Sequence, residues 1–340
     1  MIIDNINTYQ INVTNNCHLN CKHCYTIKKN INMSESTLNN VLQYIITNIN
    51  NNKDNDPCIT ISGGEIGLYN PILIKKIYKD IKEKTYPKTP NIVCQTSLLY
   101  NLTEEHKDLF KNIDSISTSY DYMIRYKNIK QELLFWNNLN IVKELNKDLQ
   151  IIIVLSKYMI EEVSPSILFS LILSTGVKHI ELERLCKPNI ITEDFLSILP
   201  ENIKVREYLY QCYLIYKELQ KSYDIKIDTL DCLEDGCKGN FYYEHGRKCC
   251  NESLTFQPNG DILTCFMEEQ EIIGNVNTNI INESKRQEII NKEKDVPSEC
   301  LNCKYYKYCN GDCHRMLWDK TGCSTPYKIY DLIIDNNNDL

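Results

Sequence analysis

Thr8-Tyr-Gln-Ile-Asn-Val-Thr14-Asn-Asn-Cys17-His-Leu-Asn-Cys21-Lys-His-Cys24-Tyr25 is the stretch on which the reading of this chain turns. Tyr9–Thr14 is rich in strand-forming residues, and the three cysteines fall in the loop directly after it. Three cysteines on one loop can give three thiolates to a four-iron cluster and leave one iron without a protein ligand. An iron left open can bind substrate, which makes the arrangement catalytic rather than purely electron-carrying. Zinc is the alternative, but a zinc site draws paired Cys-x2-Cys knuckles or histidines into a tetrahedron, and this loop has no fourth ligand nearby.

Outward from that loop, strand-like runs alternate with helical ones. The runs Ile59–Ser62, Asn91–Thr96, Ser115–Ser119, Gln150–Leu155 and His179–Glu183 follow the first strand. Between them lie Ser34–Asn50, Ile72–Lys84, Glu104–Lys111, Lys130–Lys143 and Ser164–Ser174, with helical spacing. Six strands each followed by a helix read as parallel β/α units. The expected class is α/β, a partial (β/α)6 TIM-like barrel whose chemistry sits on the loops after the strand C-termini. A further helix over Ile203–Tyr223 closes this layer. After Asp224 cysteine, glycine and turn residues become dense, and Leu254–Phe256 and Asp261–Thr264 read as a hairpin around Pro258-Asn259-Gly260. A boundary near 225 divides a barrel over 1–224 from a small cysteine-rich domain over 225–340. That last third shows little apolar periodicity and is expected to lean on metal crosslinks, with a frayed tail over Asp335–Asp339.

The chain has 340 residues, 38 basic and 45 acidic side chains and a net charge of −7. That balance disfavours a nucleic-acid partner, which a basic face would attract. No apolar run approaches the roughly 18 residues of a membrane span, and the start lacks a secretory signal. The expectation is a cytoplasmic protein without membrane contact. Disulfides do not suit 17 cysteines in a chain that is neither small nor exported; reduced thiols at that density point to metal.

The Cys-x3-Cys-x2-Cys loop after strand one resembles the signature of the radical S-adenosylmethionine (SAM) superfamily. The resemblance implies that Cys17, Cys21 and Cys24 hold a four-iron cluster, that SAM chelates its open iron, and that His23 packs near the adenine. Reductive cleavage of SAM would then yield a 5′-deoxyadenosyl radical, with an external donor such as flavodoxin or ferredoxin supplying the electron. Strand two ends in Gly63-Gly64-Glu65, similar to the family's Gly-Gly-Glu motif for the methionine amino group. Glycines permit close backbone approach and a carboxylate suits an ammonium. Ser117-Thr-Ser119-Tyr-Asp121 with Arg125 is similar to the segment ending strand four in relatives, which implies Ser119 on the ribose and Arg125 on the SAM carboxylate. Glu183 and Arg184 again put charge on the rim.

Cys249-Cys250, Gly260, Cys265, then Cys300-x2-Cys303-x5-Cys309-x3-Cys313 and Cys323 resemble the seven-cysteine SPASM pattern. By that resemblance Cys300, Cys303, Cys309 and Cys323 hold one auxiliary four-iron cluster. Cys265 and Cys313 hold another, with Cys249 or Cys250 and an upstream cysteine, Cys237 ahead of Cys232. A zinc ribbon is the other reading of the Cys-x2-Cys block. Of the cysteines left over, Cys58, Cys94 and Cys212 read as packing. Cys186 follows strand six, and a thiol there could donate a hydrogen atom to a substrate radical.

The implied activity is modification of a ribosomally made peptide or protein, by crosslinking or epimerisation. Cys17 comes too early for a peptide-recognition domain ahead of the barrel, so a separate leader-binding protein, or recognition through the SPASM surface, is expected. Alternatives are an anaerobic sulfatase-maturing type, a small-molecule radical SAM dehydrogenase, or a non-catalytic iron–sulfur electron carrier. Phe266 and Met267 stand where a sulfatase-maturing enzyme carries an aspartate.

Overall fold

The computed structural model describes residues 3, 5–52, 56–145, 148–241, 247–267 and 270–338. Six strands run in parallel: β1 (Thr8–Thr14), β2 (Cys58–Gly63), β3 (Asn91–Gln95), β4 (Ser115–Tyr120), β5 (Leu149–Val154) and β6 (His179–Glu183). The helices between them are α1 (Glu35–Asn51), α2 (Pro71–Thr85), α3 (Glu104–Asn112), α4 (Ile129–Leu145), α5 (Lys157–Glu162) and α6 (Pro165–Thr175). After β6 come α7 (Glu193–Ile198), α8 (Asn202–Leu219), β7 (Lys226–Ile227) and α9 (Asp228–Cys237). The helix starts are chemically marked. Ser34, Asn70, Ser156 and Ser164 each accept a first-turn N–H, and Pro71 and Pro165 occupy the first helical position, where a missing N–H costs nothing.

Among the described residues the sheet has eleven strands, β1 to β7 side by side in chain order with four more from the C-terminal third added beyond β1, and it does not close on itself. The expected parallel β/α units are present with boundaries within two residues. On β1, Tyr9, Ile11 and Val13 are buried in a core shared with Leu38, Val41 and Ile45 of α1. Alternate residues point to the opposite face. There Gln10 Nε2 donates to Asn12 Oδ1 at 3.0 Å and to Ser62 Oγ at 2.9 Å, and Ser62 Oγ donates to Asn12 Oδ1 at 2.8 Å.

The C-terminal third differs from expectation. β8 (Ser253–Phe256), β9 (Asp261–Leu263), β10 (Ile272–Asn275) and β11 (Ile280–Ile281) extend the same sheet. β8 and β9 form the expected antiparallel hairpin, but β8 also pairs parallel with β1, Tyr9 opposite Leu254. Phe256 lies 6.5 Å from Tyr9 and 5.6 Å from Tyr44, ring centre to ring centre. Leu254, Phe256, Ile262, Ile289, Ile329 and Tyr330 join the main core. Apolar residues in strands this short show no period of their own, because the surface they bury against is already built by α1 and β1. The helix Tyr327–Asn338 likewise carries residues 335–338, which the composition had suggested were frayed.

Candidate functional site

All the motif residues of the barrel leave the C-terminal ends of its strands, so they gather on one rim. The loop after β1 is held by Asn15 N–H to Ile31 O (2.9 Å) and by Cys24 N–H to Cys21 O (3.1 Å). The Leu19 N–H also points at Cys17 Sγ, 3.4 Å away. Cys17, Cys21 and Cys24 are close together: Cys21 feels the charge of both the others, and Cys17 that of Cys24. Burial pushes the Cys21 thiol up to about 11, against the pull of the Arg125 guanidinium, and burial likewise raises Cys17. A thiol in that setting stays protonated until a metal displaces the proton.

Arg125 belongs to a network centred on a residue that sequence reasoning did not single out. Asp121 is fully buried. It accepts from Ser119 Oγ and Arg125 Nε, and His23 Nε2 lies 3.4 Å from its Oδ2. Burial opposes its charge, but Arg125, His23 and the Ser119 hydroxyl outweigh that and hold its carboxyl below the usual range. Burial lowers His23, so the ring is neutral at pH 7, and its Nδ1 is buried without a hydrogen-bond partner. The expected cofactor residues His23, Ser119 and Arg125 are therefore one unit. The signal was present in the Asp121–Arg125 spacing, but the link to His23 is tertiary.

The Gly-Gly-Glu segment is occupied by protein. A Cβ on Gly63 would lie 2.2 Å from Thr14 O, and one on Gly64 would lie 2.2 Å from Asn16 O. The close approach that these glycines permit is thus to the stem of the cysteine loop, where Gly64 N–H donates to Thr14 O (2.7 Å) and Glu65 N–H to Asn16 O (2.8 Å). The Glu65 carboxylate, only 2% exposed, accepts from Gly67 N (3.0 Å), Thr96 Oγ1 (2.7 Å), Ser97 N (2.9 Å) and Ser97 Oγ. It ties the β2 and β3 loops together, and its charge reaches the Cys17 thiol.

In the second cysteine field, Cys300 feels Cys323 and Cys303, and Cys309 feels Cys323 and Cys300, so the structure gathers these four. Consecutive turns place them: Cys303 N–H to Cys300 O (3.0 Å), Tyr306 N–H to Cys303 O (3.0 Å) and Asp312 N–H to Cys309 O (2.9 Å). Burial pushes Cys309 up to about 12. Cys250 is completely buried in the core with its N–H on Glu293 Oε2 (3.0 Å), whereas its neighbour Cys249 is partly exposed. Cys265 approaches the barrel rim: its charge, with those of Cys24 and Glu183, acts on Tyr25, whose ring lies 5.0 Å from Phe266. Arg184 is buried and makes two bonds to Asp312, 2.5 and 2.9 Å. Cys186 lies against Cys313 and Met316. Cys237 ends α9 beside Glu234, Lys238, Tyr213 and Tyr330, and Cys232 neighbours Lys226.

Among the described residues no three His, Cys, Asp or Glu side chains close on one point as around a single bare ion. The donor chemistry nevertheless fits an iron–sulfur cluster: three neighbouring thiols on one loop, with a histidine beside them whose Nδ1 has no protein partner.

Residues 10–164 match the family described as a 4Fe-4S single cluster domain. No curated protein matches the sequence. Among solved structures, anSMEcpe with bound AdoMet and Cp18Cys peptide is 16% identical, with a TM-score of 0.80 across 98% of this chain and 99% of its own. Streptococcus suis SuiB bound to S-adenosylmethionine is 13% identical, TM-score 0.61, across 91% of this chain and 73% of its own. SuiB bound to precursor peptide SuiA is 14% identical, TM-score 0.59, across 91% and 72%. Parallel β/α units with a three-cysteine loop on the C-terminal rim define an open α/β barrel built for an iron–sulfur cluster. More particularly, this chain shares the fold of the AdoMet-bound anSMEcpe and SuiB structures. No described helix is long and apolar enough to cross a membrane.

Proposed function

We propose that this chain is a radical SAM enzyme that cleaves SAM reductively and uses the product to modify a peptide or protein. The observation that carries the reading is that Cys21, on the loop that also bears Cys17 and Cys24, lies beside the buried His23–Asp121–Arg125 network on the same rim. When bound, the cluster and SAM supply an electron and an organic radical that abstracts hydrogen. The chain's own part is to position and exclude. Asp121 fixes the Arg125 guanidinium, which is thereby pre-oriented for a carboxylate. His23 presents a neutral ring with one nitrogen free, suited to an adenine face or edge. Gly63 and Gly64 let the β2 loop lie flat on the cysteine loop. Tyr25 and Phe266 cover the approach from the C-terminal region. In this reading Cys249 or Cys250, Cys265, Cys313 and the Cys300–Cys323 group hold two auxiliary clusters, which supply crosslinks as well as redox centres.

A peptide or protein substrate is favoured because structures of the same fold are bound to the Cp18Cys peptide and to precursor peptide SuiA. Phe266 beside Tyr25, where a sulfatase-maturing base would stand, counts against that chemistry. The test is anaerobic reconstitution followed by dithionite and SAM. The expected product is 5′-deoxyadenosine, abolished in Cys17→Ala, Cys21→Ala and Cys24→Ala. An iron-loaded protein that forms none would instead be an electron carrier. Mass spectrometry of a co-expressed candidate peptide then reads the bond or stereocentre changed.

A further inference from the structure

The loop after β6 is fastened to the second cysteine field in a way the cysteine spacing does not suggest. Cys186 and Met316 form an antiparallel bridge. Lys187 N–H donates to Arg315 O at 2.9 Å, and Arg315 Nε donates back to Lys187 O at 2.9 Å. Two residues before, Arg184 grips Asp312 with both guanidinium nitrogens, and Asp312 Oδ1 in turn accepts the Cys313 N–H at 2.9 Å. Within this clamp the Cys186 thiol sits 3.9 Å from Met316 Sδ and lies beside the Cys313 sulfur. The Cys313 sulfur also accepts the Arg315 N–H at 3.4 Å, the kind of bond that tunes cluster thiolates. The same segment passes Tyr25, since Asn189 Nδ2 donates to Tyr25 O at 3.2 Å and Glu183 acts on its ring hydroxyl together with Cys265. Residues 183–189 therefore pass both Tyr25, on which Cys265 also acts, and the turn that carries Cys313. Cys237 lies on the side of the Cys309 turn instead: Gly236 packs against Tyr308 O, and Tyr330 is acted on by both Cys309 and Cys237.

We propose that Cys186, rather than Cys237, supplies a thiolate to the auxiliary cluster that Cys265 and Cys313 hold. This rests on the reading of the second cysteine field as iron–sulfur sites. On binding, the Cys186 thiol gives its proton to solvent and forms one iron–sulfur bond, with no change in oxidation state. The auxiliary centre would then be anchored to the barrel itself, one loop away from the rim, so that its distance from the SAM site is set by β6 rather than by the C-terminal region.

The test compares full-length wild type with Cys186→Ala, Cys186→Ser and Cys237→Ala after anaerobic reconstitution. Iron and acid-labile sulfide per chain are measured, with EPR spectra of the reduced proteins before and after SAM is added. Cys186→Ala is expected to lose about a third of the iron, the share of one cluster in three, or to shift the signal of one SAM-insensitive cluster. Cys186→Ser, which keeps the volume and is expected to melt like wild type by circular dichroism, is expected to shift that same signal. Cys237→Ala is expected to keep wild-type iron and spectra. Wild-type iron and spectra in both Cys186 variants would overturn the assignment, as would a loss confined to Cys237→Ala. Wild type holding iron for the SAM-responsive cluster alone would overturn the auxiliary-cluster reading, and the assignment with it.

Discussion

Asp121 is enclosed by protein and still charged, because Arg125, His23 and Ser119 converge on its two oxygens. Removing one member of a buried ion pair leaves the other desolvated without compensation, which typically costs about 3–5 kcal/mol. Asp121→Asn keeps the shape and removes the charge, so unfolding in denaturant is expected to show a loss of that size. Asp121→Asn/Arg125→Met removes both charges and is expected to be less damaging than the sum of the single changes; strict additivity would mean that the pair is not coupled. Ser119→Ala, which deletes one neutral donor, is expected to cost only about 1 kcal/mol. Three members of this network, His23, Ser119 and Arg125, could be picked out from the sequence by resemblance. Their common partner stood in the same segment as Ser119 and Arg125 without a role, because what makes Asp121 central is the approach of the β1 loop to the end of β4, a tertiary contact.

Elements show the same division between what is local and what is not. The six strands of the barrel and their helices could be read because each carries its own propensity and its own cap. The parallel partner of β8 could not, since four residues pairing with the far end of the chain leave no periodic trace. Glycines are similar: the sequence marks Gly63, but only the structure says what crowds it. Gly63 has φ +148° and its Cβ would meet Thr14 O at 2.2 Å, whereas Gly239 has φ +81° and nothing within 4 Å. Gly63→Ala is therefore expected to cost roughly 2–4 kcal/mol through backbone displacement and strain. Gly239→Ala is expected to cost only about 1 kcal/mol, from the left-handed conformation alone. Similar losses at the two sites in thermal unfolding would refute the packing role of Gly63. At the opposite end of the sheet, Asp228 opens α9 and meets His179 Nε2 at 2.5 Å and Lys226 Nζ at 2.6 Å. Burial resists its charge, but His179 and Lys226 together hold its carboxyl below the ordinary value. A depressed carboxyl binds fewer protons folded than unfolded, so its contribution is present above the ordinary carboxylate pKa, near 3.9, and fades as pH falls through the lower folded value. Asp228→Asn should accordingly be less stable than wild type by about 1–2 kcal/mol at pH 7. That gap should close on acidification below about pH 4; a gap constant with pH would exclude the linkage.

For the molecule as a whole, the question is what binds the cysteine-rich region to the barrel. At one edge it is β8 on β1, backbone pairing backed by Phe256 in the main core. On the other side it is side chains: Arg184 from the end of β6 to Asp312, and Arg206 of α8 to the carbonyls of Thr321 and Cys323. The sequence suggested that metal replaced a core here, because apolar spacing was absent; the structure instead shares one core across the chain and adds buried charge at the join. Arg184 and Asp312 are 4% and 6% exposed at their side chains, so solvent screening is slight and neither charge can be left alone cheaply. Asp312 also accepts from Thr325 Oγ1 (3.1 Å) and from the Cys313 N–H, which makes it the post on which two cysteine-bearing turns are hung. Arg184→Met should thus destabilise the protein by about 3–5 kcal/mol. The damage should be local: iron should be lost from the C-terminal field, while the SAM-dependent EPR response of the barrel cluster survives. Arg184→Lys keeps the charge but offers a point contact in place of a fork, and should fall between wild type and Arg184→Met in both readouts. If Arg184→Met instead abolished the SAM response and spared the C-terminal iron, Arg184 would belong to the barrel site and the join would have to be held by β8, Arg206 and the Lys187–Arg315 pairing.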